Sequence, residues 1–256
     1  MVVDDGIDTG PRLKLYSRPA DVEYWTARWT DASGVSYERE RRGHLPHQLR
    51  STWKRWVEPG SSVLEAGCGL GHFTVAAHAL GYRAEGVDWS EPTIARLRTQ
   101  FPSIAWQACD VRRLPFADRT FDSVYSPGVC EHFEDGPLAV LEETRRVLRV
   151  GGIAVVSSPC FNVWLQQRTS RLASADAPAD ADFHEYAFAP AGMARLLEQL
   201  GFGVLQVRPY GALDTLMQYG GWRVPDGMKN AVALALDYTP IVRHWGSTCL
   251  WIARKR

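Results

Sequence analysis

Hydrophobic and polar positions along this chain follow two rhythms that take turns. Short segments that read as strands, each with at least two apolar residues, fall at 63–64, 84–88, 104–109, 122–125, 153–157, 203–207 and 248–253. The apolar run Val63-Leu64, preceded by the turn signal Pro59-Gly60-Ser61-Ser62, is how a buried parallel strand begins. Between them, apolar residues recur at helical spacing over 73–80, 90–100, 136–148 and 191–200. Ser90-Glu91-Pro92 supplies a cap and an early proline for the second of these helices, and Gly81 and Gly201 close the first and last. Strand and helix in alternation predict an α/β fold, a doubly wound and mostly parallel sheet. Upstream, 21–29 and 45–57 read as helices, the first with Tyr24, Trp25, Arg28 and Trp29 spaced to share a face. Residues 1–18 lack periodicity and read as a loose arm. The charged stretch 37–43 reads as a solvated connection, and 161–182, with its run of small polar residues, as a lid or flexible insertion.

The chain is organised around Val63-Leu64-Glu65-Ala66-Gly67-Cys68-Gly69-Leu70-Gly71. A strand, a glycine turn and a helix in succession place a ligand site at the turn. The glycines let the backbone bend and a ligand approach without a Cβ in the way. The dinucleotide fingerprint G-x-G-x-x-G is not met, because its third glycine would fall on His72. Glu65 at the strand end suits a ligand with a positive group, such as the ammonium of an aminoacyl tail. Asp88 closes the second strand about twenty residues past the glycines, where a carboxylate accepts from ribose hydroxyls. Trp89 beside it is placed to stack on a base. Cys68 has a backbone role in the turn.

Composition narrows the function classes. Of 256 residues, 45% are hydrophobic and 23% charged, and the formal net charge is zero, so no electrostatic footprint for nucleic acid or an anionic membrane is present. No apolar run approaches a membrane span, and the acidic N-terminus lacks the features of a signal peptide. Five dispersed cysteines without a C-x-x-C pair suggest reduced thiols in a cytoplasmic protein. The histidines are dispersed and no metal-ligand spacing is seen, so no metal is expected.

The glycine motif resembles the first motif of class I S-adenosylmethionine (SAM)-dependent methyltransferases, and further matches follow in order. Leu114-Pro115-Phe116 and Phe121-Asp122-Ser123-Val124 resemble a stretch of the small-molecule type 11 group typified by quinone-biosynthesis methyltransferases. Cys130-Glu131-His132 resembles the "EH" found there, and Leu196-Leu197-Glu198-Gln199-Leu200-Gly201-Phe202 its late helix. The resemblance implies a seven-stranded sheet of order 3-2-1-4-5-7-6 with the last strand antiparallel. It implies a helical cap over residues 1–58 and a SAM-binding domain over 59–256, with lid insertions near 161–183 and 209–245. It implies SAM as cofactor and S-adenosylhomocysteine as product. Cofactor contacts fall to Glu65, Gly67, Cys68, Gly69, Gly71, Asp88, Trp89, Asp110, Val111 and Ser126. Asp110 would accept from the adenine amino group.

Ser126-Pro127-Gly128-Val129 stands where base and amide methyltransferases carry an Asn-Pro-Pro-Tyr type box, which disfavours nucleic-acid and glutamine acceptors. The expected reaction is methylation of a small molecule, with a hydroxyl oxygen preferred over nitrogen or carbon. His132 is the candidate general base, its ordinary pKa lying near working pH, with Glu131 as its orienter or an alternative base. Tyr24 and Trp25 either touch SAM or substrate or pack as lid. His184 and Tyr186 either face the substrate or belong to a charged connector. The aromatic insertion 208–245 serves as pocket wall or as a dimer contact. The alternatives are a non-catalytic SAM-binding accessory protein and a protein or RNA methyltransferase.

Overall fold

A computed structural model of the chain describes residues 2–3, 12–32, 34–170, 182–219 and 221–256. In chain order the elements are β1 (Val2–Val3), β2 (Arg12–Ser17), α1 (Val22–Asp31), α2 (Glu38–Arg41), α3 (His47–Trp56), β3 (Ser62–Ala66), α4 (His72–Ala79), β4 (Arg83–Asp88), α5 (Glu91–Gln100), β5 (Ala105–Ala108) and β6 (Phe121–Pro127). After a 3-10 turn at Cys130–His132 come α6 (Leu138–Val147), β7 (Leu148–Pro159), α7 (Val163–Ser170), β8 (Asp182–Phe188), α8 (Pro190–Gln199), β9 (Phe202–Tyr210), α9 (Ala212–Tyr219), α10 (Asp226–Asp237), α11 (Val242–Trp245) and β10 (Thr248–Lys255).

Seven strands form the main sheet in the order β5-β4-β3-β6-β7-β10-β9. Numbered within the sheet by chain order, this is the expected 3-2-1-4-5-7-6. β3 pairs in parallel with β4 and β6, while β10 runs antiparallel between β7 and β9.

Strand alternation splits β3 between two cores. Leu64 joins the side made by α6 and α8, with Val140, Leu141, Met193 and Leu197. Val63 joins the other side, where Leu49 and Trp53 of α3 and Phe73, Ala76 and Ala77 of α4 pack. Both faces are covered, so adjacent apolar residues such as Val63 and Leu64 are buried in opposite cores.

The sequence expectations change in several places. Residues 12–17 are not a loose arm: β2 pairs antiparallel with β1 and with β8, making a separate three-stranded sheet. A strand whose partner lies so far along the chain carries no local signal. The charged connection contains the short helix α2. Gly151 and Gly152 lie inside β7, where the register with β6 jumps from Phe121↔Leu148 to Ser123↔Ile153. Gly151 has φ +80, and a Cβ on Gly152 would stand 2.8 Å from the Arg149 carbonyl oxygen and 2.9 Å from that of Asp122. α7 occupies the start of the expected lid, whose residues 171–181 lie outside the described residues. The aromatic insertion folds into α9, α10 and α11 around Leu213, Leu216 and Leu236.

The cap helix α1 begins at Asp21, whose side chain accepts from the Tyr24 N–H at 2.8 Å. It buries no residue completely, and polar ties hold it on the sheet domain. The Thr26 hydroxyl donates to the Ser90 hydroxyl at 2.9 Å, and the Arg96 guanidinium donates to the Trp29 carbonyl at 3.2 Å. Among the described residues no helix is long and apolar enough to cross a membrane.

Candidate functional site

At the carboxyl ends of β3, β4 and β6 lies a cavity of about 460 Å³. Its floor is the glycine turn. Gly67, Gly69 and Gly71 have φ of +79, +48 and +71, a region open to glycine at little cost. A Cβ on Gly67 would run into Val129, and one on Gly69 would stand 2.8 Å from the Trp29 indole. Both side chains line the cavity, so at these two positions the missing Cβ keeps the space open. Gly71 is not part of the cavity wall. It caps α4, and a Cβ there would meet Trp106 at 2.6 Å, so its role is helix packing.

Two buried carboxyls flank the turn. Glu65 accepts from the Thr74 N–H at 2.9 Å and from its hydroxyl at 2.5 Å, in the first turn of α4. Burial pushes its pKa up to about 8, the Thr74 hydrogen bonds opposing the rise and the Asp88 charge adding to it. Asp88 accepts from the Gly69 N–H at 2.8 Å and the Ser90 N–H at 3.0 Å, one on each oxygen. Burial raises its pKa against those backbone donors. Each oxygen keeps a second lone pair, so the carboxylate holds the turn in shape and can still accept from a ligand.

Opposite the turn stands an aromatic wall. Trp25 and Trp29 stack at 5.2 Å, Trp25 meets His132 edge-on at 5.0 Å, and Trp89 meets Phe133 edge-on at 6.1 Å. Nδ1 of His132 is 3.0 Å from the His184 carbonyl oxygen. A carbonyl only accepts, so Nδ1 carries the proton and Nε2 keeps its lone pair. Burial drives the His132 pKa down to about 4, the carbonyl hydrogen bond working against this and the neighbouring His184 ring adding to it. The ring is therefore neutral at neutral pH, with one nitrogen able to accept a proton.

Of the residues singled out in the sequence, Trp25, Glu65, Gly67, Cys68, Gly69, Asp88, Trp89, Val111 and His132 line this cavity. The others do not. Asp110 is paired with Arg112, its Oδ2 2.7 Å from the guanidinium. Burial would raise its pKa, but the Arg112 hydrogen bonds and charge outweigh that and hold it below its usual range. Ser126 shares the Val124 face of β6, whereas Tyr125 and Pro127 alternate with it onto the cavity side. Glu131 is buried beneath the site, its pKa driven well above the carboxylate range by that burial, and its Oε2 has no hydrogen-bond partner. The orienter of His132 is thus the His184 backbone rather than Glu131. Tyr24 packs edge-on against Trp25 and His184, and Tyr186 is buried in the small sheet with its hydroxyl on the Glu134 carbonyl.

Trp29, Phe73, Tyr125, Val129 and Phe133 add apolar surface to the wall, and Arg28 and His72 bring basic side chains to it. For Trp29 the sequence held a signal, its place one helical turn after Trp25. For Tyr125 it was the end of β6. For Phe133, brought in by the 3-10 turn, there was none.

The chain matches the family described as "Methyltransferase domain" over residues 64–156. It is 32% identical over 180 residues to a probable S-adenosylmethionine-dependent methyltransferase of Mycolicibacterium smegmatis, a match covering 68% of this chain and 66% of that protein. It is 34% identical over 113 residues to the ubiquinone/menaquinone biosynthesis C-methyltransferase of Desulfotalea psychrophila, covering 40% of this chain and 46% of that one. The chain thus spans no more than 66% of either relative's length. Among solved structures, the Burkholderia thailandensis 1,6-didemethyltoxoflavin N1-methyltransferase, with bound 1,6-didemethyltoxoflavin and S-adenosylhomocysteine, has a TM-score of 0.59 at 17% identity, covering 96% of this chain and 95% of that chain. At that identity the likeness speaks for the fold.

Proposed function

This chain carries a class I SAM-dependent methyltransferase domain, and from that premise we propose that it methylates a small-molecule acceptor at a hydroxyl oxygen. The observation that carries this reading is the gathering of Glu65, the open glycine turn, Asp88 and a neutral His132 around one aromatic-walled cavity. The donor set fits SAM. Glu65 has an unengaged carboxyl oxygen for an ammonium, Asp88 has free lone pairs for ribose hydroxyls, and the absent Cβ atoms of Gly67 and Gly69 leave the turn open. Trp89 and Val111 are the apolar sides of the base site. When bound, SAM supplies a methyl group made electrophilic by its sulfonium.

The protein's own contribution is alignment and proton removal. Trp25, Trp29 and Phe133 hold a planar or apolar acceptor and exclude water. Nε2 of His132, fixed by its Nδ1 hydrogen bond, takes the hydroxyl proton. A concave site of about 460 Å³ with aromatic side chains in its wall supports a small molecule over a nucleic acid or a protein segment.

Calorimetric titration of the full chain with SAM and with S-adenosylhomocysteine tests the cofactor assignment, and micromolar binding of both is expected. Labelled-methyl transfer to a panel of hydroxylated, amine and activated-carbon acceptors then tests the atom. Transfer only to nitrogen or carbon overturns the oxygen reading, and failure to bind either nucleotide overturns the whole.

A further inference from the structure

The small sheet meets the cavity wall at a point the proposed reaction does not fully use. His184 and Glu185 are consecutive on β8, and His132 ends the 3-10 turn after β6. One nitrogen of each imidazole and one carboxylate oxygen of Glu185 lie within 4.8 Å of one another. Consecutive strand residues ordinarily point to opposite faces. Here the register of β8 against β2 passes from Leu15↔Glu185 to Tyr16↔Phe183, so His184 is the extra residue of a bulge. A bulge re-aims a side chain, and this one brings His184 round to the side of Glu185.

Both rings are also held in one tautomer. His132 donates through Nδ1 to the His184 carbonyl at 3.0 Å, and His184 donates through Nδ1 to the Arg18 carbonyl at 2.9 Å. Each ring therefore presents an Nε2 lone pair, and a backbone carbonyl on the far nitrogen is the support that metal-binding histidines usually have. Glu185 is partly buried and, among the described residues, has neither an ion pair nor a side-chain hydrogen bond. The unpartnered Oε2 of Glu131 lies beneath the same turn.

We propose that His132, His184 and Glu185 bind a divalent first-row transition metal ion of the zinc type. Two imidazoles and one carboxylate suit zinc or cobalt and disfavour magnesium and calcium, which prefer all-oxygen sites. Tetrahedral zinc asks for donor atoms roughly 3.4 Å apart, so the Glu185 carboxylate, which has no such tie, swings in while the two rings tilt about their Nδ1 hydrogen bonds. Three protein ligands leave a fourth position for water or for an oxygen of a small molecule. The ion and the base role of His132 use the same lone pair, so the site is tested by binding and not by turnover.

The test titrates the full chain, stripped with a chelator and dialysed, with Zn²⁺ by calorimetry and with Co²⁺ by visible absorbance. The expected result is one ion per chain at micromolar affinity or tighter, with cobalt bands of a nitrogen and oxygen site. Glu185→Gln, which keeps the shape, should weaken binding about tenfold or more, and His184→Ala should abolish it. SAM affinity within about twofold of wild type in Glu185→Gln checks the fold and keeps this outcome separate from that of the methyltransferase reading. Absence of saturable Zn²⁺ binding, cobalt bands showing thiolate charge transfer, or affinity indifferent to both substitutions overturns the proposal.

Discussion

Glu65 and His132 sit in one cavity with their ionisation displaced in opposite directions, and burial is the first cause of both shifts. The Glu65 carboxyl is neutral below about 8 in the fold, but in the unfolded chain it ionises above its ordinary value of 4.5. It therefore detracts from stability as pH rises through that window, and a bound ammonium restores the ionised form. SAM binding at pH 7 should release close to one proton, and affinity should rise as pH approaches 8. Calorimetry in buffers of different ionisation enthalpy reads the proton directly, and Glu65→Gln should remove it. His132, with a pKa of about 4, is already in its basic form across the physiological range. Turnover should be flat on its account from about pH 5 to 8, and His132→Ala should lower it by about 10²–10⁴-fold while SAM affinity changes little. Steady-state kinetics against pH checks both. Asp88→Ala removes charge-assisted acceptors and frees the Gly69 and Ser90 N–H groups. Hydrogen bonds to a charged group contribute about 1.5–3 kcal/mol, so SAM should bind on the order of ten- to a hundredfold more weakly. Unchanged affinity would remove Asp88 from the site.

The elements that frame the cavity differ in how firmly they are held. The glycine turn is fastened by Asp88 and by the Gly67 and Cys68 N–H groups, both donating to the Val87 carbonyl at 2.9 and 2.8 Å. β7 depends on its internal bulge, where the space beside Gly152 is closed by two backbone carbonyls that cannot swing away. Gly152→Ala should thus destabilise by about 1–3 kcal/mol, read as a lower urea midpoint with the slope unchanged. Gly60→Ala, whose Cβ meets nothing within 4 Å, should cost only the strain of its φ of +75, about 1–2 kcal/mol. α1 rests on Thr26 and on the Trp29 contacts instead of on a buried face.

At the scale of the whole molecule, a seven-stranded sheet covered on both faces carries a smaller sheet whose His184 carbonyl holds His132, a residue of the cavity wall. Local opening follows burial, so amide hydrogens of β3, β4 and β6 should exchange far more slowly than those of β2 and β8. SAM should slow exchange at residues 67–70. Mass-spectrometric hydrogen exchange with and without SAM checks both. The sequence by itself determined the main sheet. Its strands are short segments centred on apolar residues and its turns are marked by glycine, so the order 3-2-1-4-5-7-6 and the places of Glu65, Gly67, Gly69 and Asp88 were legible in a local pattern tied to a family likeness. Only the tertiary structure decided which side chains share the cavity. Ser126 left it through strand alternation, Asp110 through pairing with Arg112, and Glu131 through burial behind its own turn. The small sheet was hidden for a related reason. β2 and β8 are far apart in sequence, and neither has a pattern that names the other. The contact that fixes His132 comes from the His184 backbone carbonyl, which every residue type carries, so no side chain announces it.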